Sequence, residues 1–309
     1  MSIKIEPSSP AEINWKRDQQ QSLTNGRKKS VRAPFAQPRD FLENRFVYLT
    51  ISPRARGLSV GVNLNPDAVC NFECLYCDVD RSIPRPDREI DCEVAARELE
   101  QTLQLIHNGS LRRHAPYAAL PEELLVLRHV ALSGDGEPTT SAHFREAVET
   151  TVHIRARAKF PFFKIVLITN GSGLDLPNVQ TGLALLTSRD EIWVKLDAGT
   201  QTYMDTVNRS AVPLEKILAN ILLIAKKRPV IIQSLFSAVD QVAPSNAEIA
   251  AYAQRLKELK EQGANIAQVQ IYSATRPTAT SRVAHLPLRT MSEIASTVRS
   301  MTGLRAEVF

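Results

Sequence analysis

The sequence predicts an α/β fold built on a parallel sheet with helical crossovers, and two observations predict it. From Leu58 onward, short apolar runs suited to strands alternate with longer amphipathic stretches, the order in which each strand is followed by a helix that returns along the sheet. The chain has 309 residues, 43% of them hydrophobic, enough to bury one substantial core, yet nothing approaches the eighteen consecutive apolar residues that would cross a bilayer. A soluble, cytoplasmic protein without membrane contact is therefore expected.

Residues 1–44 are polar and aperiodic and read as a basic leader, disordered or draped on the surface. The net charge is +5, and between Lys16 and Arg56 ten Lys or Arg face only three acids. Such a stretch admits a nucleic-acid arm, but it has few aromatics to stack on bases, so a solubilising tail is the preferred reading. Phe46–Ile51 reads as a short strand or extended approach to the core. Strands follow at about 58–64, 129–133, 164–169, 191–197, 229–236 and 267–273. Helices lie between them near 90–107, 141–158, 175–188, 213–227 and 245–262. A last helix at 290–302 makes residues 286–309 a C-terminal helical extension to a core domain of 45–285. Capping-box patterns start two helices, Ser245 with Glu248 and Thr290 with Glu293, and Gly263 follows the first of them. No internal repeat is visible.

Three of the four cysteines fall in one loop, Cys70, Cys74 and Cys77, spaced C-x3-C-x2-C directly after the strand at 58–64. Three thiolates so placed can hold three irons of a [4Fe-4S] cube and leave the fourth iron open to a small molecule. A zinc site made by adding Cys92 is the alternative metal reading. A disulfide framework is disfavoured, because four cysteines are sparse and no signal peptide opens the chain. Cys92 stands beside Asp91 at a helix start, where the macrodipole could lower its pKa and admit a hydrogen-donor or relay role, but an inert thiol is the default reading.

The remaining candidates stand where strands end, the ligand-binding face of parallel β/α architectures. Gly134-Asp135-Gly136-Glu137-Pro138 follows the second strand. Its glycines allow close backbone approach and its glutamate can take an ammonium, although Gly-Asp-Gly is also an ordinary turn. Asn170 ends the third strand. Lys195 and Asp197 share one face of the fourth, since side chains alternate with period two. Such a pair must either meet a polar ligand or form an internal salt bridge. Gln233 and Ser234 sit on the fifth strand, and Tyr272 and Arg276 at the end of the sixth. None of the six histidines is singled out.

Taken together, the cysteine loop, the Gly-Asp-Gly-Glu-Pro segment and the six β/α units resemble the radical S-adenosylmethionine (radical SAM) superfamily. The resemblance implies an incomplete (βα)6 TIM-like barrel that binds one [4Fe-4S] cluster and S-adenosylmethionine. It implies cluster ligation by Cys70, Cys74 and Cys77, an aromatic Tyr76 near the adenine, and Gly134, Asp135, Gly136 and Glu137 around the methionyl amino group. Lys195 and Asp197 would hold ribose and carboxylate, with Asn170, Gln233, Tyr272 and Arg276 completing the cofactor wall. It also implies an external electron donor such as flavodoxin or ferredoxin. Asn-Leu-Asn-Pro before Cys70, Gly-Glu-Pro-Thr and Lys-Leu-Asp-Ala-Gly look most like the wyosine-synthetase-related branch, which modifies tRNA. Only Cys92 remains to ligate that branch's second cluster, so a single-cluster enzyme on a small molecule or natural-product precursor is expected. An RNA-modifying enzyme and a non-catalytic metal-binding protein are the alternatives, and the sequence names no catalytic residue.

Overall fold

The structure, a computed structural model, describes residues 41–275, 278 and 280–309. The expected leader therefore lies almost wholly outside the described residues, as does Arg276. The main sheet has eight strands in the order β1-β2-β3-β4-β5-β6-β8-β10. They are β1 (Val47–Ser52), β2 (Gly57–Asn63), β3 (Leu127–Ser133), β4 (Lys164–Thr169), β5 (Glu191–Lys195), β6 (Val230–Leu235), β8 (Ile266–Tyr272) and β10 (Ala306–Val308). From β2 to β8 the neighbours pair in parallel, which is the expected set of six β/α units. Their near-continuous Val, Ile and Leu content fits strands covered on both faces.

Strand β1 runs antiparallel to β2 at one edge, so its end at Ser52 lies at the amino end of the β2 strand. Its start is fixed by Glu98 of α1 (Cys92–His107), whose carboxylate accepts from the backbone N–H of Arg45, Phe46 and Val47 at 2.8, 2.9 and 3.0 Å. In the β1–β2 turn, the Arg54 guanidinium stacks 4.3 Å from the centre of the Tyr272 ring on β8.

A four-residue helix, α2 (Ala115–Ala118), precedes β3, and the crossovers use α3 (Phe144–Ala156), α4 (Pro177–Leu183), α6 (Leu214–Ala225) and α7 (Asn246–Glu261). A further short helix, α5 (Gln201–Val207), was not anticipated. The Ser245 cap holds, its hydroxyl accepting from Glu248 N at 3.1 Å, but the Glu248 carboxylate turns instead to Gly199 N and the Thr200 hydroxyl. The second capping box is not formed, because α8 (Leu288–Thr302) begins after Pro287 and so contains Thr290. Nor is residue range 286–309 only helical: β10 follows α8 and joins the main sheet beside β8. A two-stranded ribbon, β7 (Ala238–Val239) with β9 (Val283–Ala284), completes the described strands. Among the described residues, no helix is long and apolar enough to cross a membrane.

Most buried apolar side chains form one core between the outer helices and the sheet. A smaller cluster of Val166, Trp193 and Ile231, with Ile168 packed on it, stands apart. Trp193 and Ile231 have the same parity as Lys195 and Gln233 on their strands, so this cluster lies on the sheet face that lines the cavity described next.

Candidate active site

A cavity of about 290 Å³ opens at the carboxyl ends of the strands and is lined by all three loop cysteines. Tyr76, Gly134, Asp135, Gly136, Glu137, Asn170, Lys195, Gln233 and Tyr272 also line it. Residues far apart in sequence thus share one wall. Asp197 stands just behind, its carboxylate accepting from the Tyr76 hydroxyl, from Asn208 Nδ2 at 3.0 Å and from Leu235 N at 2.8 Å.

The cysteine loop is clipped to its surroundings at both ends. Asn71 Oδ1 accepts from Asn170 Nδ2 at 2.9 Å, and Asn71 Nδ2 donates to the Ser172 hydroxyl at 2.8 Å. On the other side, Glu73 N and Leu75 N donate to the carbonyls of Asn208 and Val207 at 3.0 and 2.9 Å. The loop therefore satisfies carbonyls that the end of α5 would otherwise leave unpaired. Gly136 explains how close the Gly-Asp-Gly-Glu-Pro turn comes: a Cβ there would sit 1.9 Å from the Val69 carbonyl oxygen, next to Cys70.

Glu137 is 2% exposed. Its Oε1 accepts from Thr139 N, the Thr139 hydroxyl and the Thr169 hydroxyl, at 3.1, 2.6 and 2.5 Å, and its Oε2 accepts from Asn170 N at 2.6 Å. Burial raises its pKa, against the opposing pull of these donors. Asp135 accepts from Asn63 Nδ2 at 3.1 Å and lies 3.4 Å from the Arg85 guanidinium. Lys195 Nζ is 3.6 Å from Asp197, donates to the Tyr272 hydroxyl at 3.2 Å and lies 4.6 Å from the Tyr76 ring centre. Burial works against its charge, but Asp197 above all holds its pKa above the ordinary lysine value. Lys195 forms the internal salt bridge with Asp197 and also lines the cavity.

Deeper in the cavity lies a pair that the sequence reading passed over. Ser59 Oγ and His129 Nε2 are 2.8 Å apart, and His129 meets Trp193 edge-on at 5.2 Å. Burial drives the imidazole pKa down to about 3, so it is neutral. A pair of small polar residues on adjacent strands has no local sequence signal. The only hint was a histidine within an otherwise apolar run.

The donor set fits an iron–sulfur cube better than zinc. Among the described residues, no group of three or more His, Cys, Asp or Glu converges as a single ion would require. A cube imposes no such convergence, because each thiolate takes a different iron. Cys92 is absent from the cavity wall and is buried in α1 against Ala95, Leu99 and Thr151, so it does not complete a zinc set with the loop. Nor is it activated, since burial, with Glu146 and Asp91 nearby, pushes its pKa up to about 12 and overrides the helix start. Burial also raises Cys70, to about 11, and Cys74, so cluster uptake would release their protons.

No family model matches the chain. Two curated UPF0026 proteins from Helicobacter pylori strains align with it. One is 27% identical over 241 residues, covering 75% of this chain and 67% of its own length; the other is 26% identical over 141 residues, covering 44% and 38%. Among solved structures, TYW1 with a lysine–pyruvate adduct bound superposes with a TM-score of 0.54 at 16% identity, over 95% of this chain and 90% of that one. Streptococcus suis SuiB bound to S-adenosylmethionine gives 0.57 at 13%, over 83% of this chain and 52% of SuiB, so the chain spans about half of that protein. TYW1 and SuiB are radical SAM proteins, and this chain has their fold, with a three-cysteine loop at the carboxyl ends of the strands.

Proposed function

We propose that the chain is a radical SAM enzyme in which Cys70, Cys74 and Cys77 hold one [4Fe-4S] cluster and S-adenosylmethionine binds along the strand ends beside it. The observation that carries this reading is the single cavity wall that unites the three thiols with Glu137, Lys195 and Tyr76. When bound, cluster and cofactor supply reductive cleavage of the sulfonium and a 5′-deoxyadenosyl radical that takes a hydrogen atom from the substrate.

The protein's own part is to bind, orient and keep water out. Glu137 attracts the methionyl ammonium from a site where four neutral donors fix its carboxylate without cancelling its charge. Lys195 offers a cation to the carboxylate, and Tyr76 is held by Asp197. Trp193 and Ile168 supply apolar lining, and Ser59, His129 and Gln233 supply neutral hydrogen-bonding groups. The reducing electron comes from an external donor such as flavodoxin or ferredoxin. An RNA substrate remains the alternative, supported by the basic run from Lys16 to Arg56; tight tRNA binding that weakens steeply with salt would favour it.

Anaerobic reconstitution followed by iron and sulfide analysis tests the core claim, with about four irons per chain expected. Cys70→Ala, Cys74→Ala and Cys77→Ala should each abolish the cluster, and Cys92→Ala should retain it. Dithionite and S-adenosylmethionine should then release 5′-deoxyadenosine. One tightly bound zinc without sulfide would overturn the reading.

A further inference from the structure

Asn208 is the C-cap of α5, and its side chain stands at the meeting point of three groups already described. Its Nδ2 lies 3.4 Å from Cys74 Sγ, 2.9 Å from the Tyr76 hydroxyl and 3.0 Å from Asp197 Oδ2. The orientation of the amide is chemically forced, because a carboxylate only accepts, so the atom facing Asp197 must be the NH2 and not the carbonyl oxygen. Asn208 is 3% exposed, which removes water as a competing partner. Its backbone carbonyl also receives Glu73 N, so the residue touches the cysteine loop twice.

An amide with two protons faces three acceptors, and their chemistry decides how the protons are shared. The Tyr76 hydroxyl spends its proton on Asp197, and its neutral oxygen competes for the amide protons with two charged acceptors. A cluster-bound Cys74 is a thiolate, a stronger acceptor than the thiol, and it lies at an ordinary N–H···S distance. One amide proton then serves Asp197 and the other serves the sulfur. Hydrogen bonds to ligand sulfurs are a principal means by which a protein sets a cluster's potential. They draw charge from the sulfur and stabilise the reduced, more negative cluster over the oxidised one.

We propose that Asn208 is a positioning residue that raises the reduction potential of the cluster by donating a hydrogen bond to the Cys74 thiolate, from an amide anchored on Asp197. The inference rests on the cluster reading above. It assigns a role to a residue outside the cysteine motif, 134 positions away from its sulfur partner.

The test is an EPR-monitored redox titration of the reconstituted cluster in the full-length protein, compared at equal iron content. Asn208→Ala removes the donor, and Asn208→Asp keeps the shape and the backbone bond but replaces the donor with a negative charge. The oxidised state should be favoured about tenfold in Asn208→Ala, a fall of about 59 mV for a one-electron couple, and further in Asn208→Asp. A purely structural role predicts no such graded order. Unchanged potentials in both variants would overturn the proposal. So would failure of both to take up iron while unfolding at the parent's temperature, because Asn208 would then serve only to build the loop. A parent chain that assembles no cluster defeats the functional reading, and this inference with it. A parent cluster indifferent to Asn208 defeats this inference alone.

Discussion

Two buried carboxylates at opposite ends of the strands, Asp190 and Glu137, are held in opposite ways. At the amino end of the strands, Asp190 is bonded to the Arg155 guanidinium through both oxygens, one contact at 3.0 Å, and also accepts from Ile165 N and Thr187 N. Its neighbour Glu191 takes Lys164 Nζ at 2.6 Å. At the carboxyl end, Glu137 and Glu248 accept from backbone N–H and hydroxyl groups. The pKa directions follow: Asp190 falls despite its burial because Arg155 and its other donors outweigh it, whereas burial lifts Glu137. A charge met by an opposite charge closes a contact. One fixed by neutral dipoles keeps its field available to a ligand.

The largest effect should come from the amino end. Asp190→Ala leaves Arg155 buried without its partner and should lower stability by about 3–5 kcal/mol in urea unfolding, while cluster uptake per folded chain stays at the parent level. A loss below about 1 kcal/mol would erase the distinction between the two ends. Glu137→Gln should act on both properties. Its amide would face donors at one oxygen position, costing about 1–3 kcal/mol, and calorimetry on the reconstituted protein should show S-adenosylmethionine binding weakened about tenfold or more, as expected for a lost charge partner. Unchanged affinity would make Glu137 as purely structural as Asp190.

His129, within the barrel, gives a pH-dependent effect, small near pH 6 and growing as pH falls. Its folded pKa of about 3 lies below the unfolded value of 6.5, so between these values the unfolded chain binds more protons. Stability from this group is complete above pH 6.5 and is lost as pH falls toward 3, at about 1.4 kcal/mol per pH unit. In metal-free protein, His129→Gln should flatten that slope; an unchanged slope would assign it to other groups. The smallest effect belongs to the surface: Arg289→Ala breaks an exposed helix pair with Glu293 and should shift stability by no more than about 0.5 kcal/mol.

The parallel sheet was legible because each central strand is a short run rich in Val, Ile and Leu and each is followed by a longer amphipathic stretch, both of which are local signals. The cysteines, Glu137 and Lys195 were legible because their residue types are unusual at strand ends. Asn208 and the Ser59–His129 pair were not, because polar residues of ordinary type acquire meaning only through partners 70 to 134 positions away. Helix α5 is seven residues long and β10 is three, too short for periodicity to register. For Cys92 the inert-thiol reading agrees with the structure, where Glu146 and the core outweigh the helix start.

Gly136 works as a spacing gauge. With the Val69 carbonyl oxygen only 1.9 Å from where a first side-chain carbon would stand, two loops from different parts of the chain touch with less than one atom's tolerance. Even alanine there would push the backbone that leads into Cys70, so a change made for the sake of one loop would be felt as misalignment in the other. Residues 65–70 and 134–137 can drift only as a matched pair, and a length change in either would have to be answered in both.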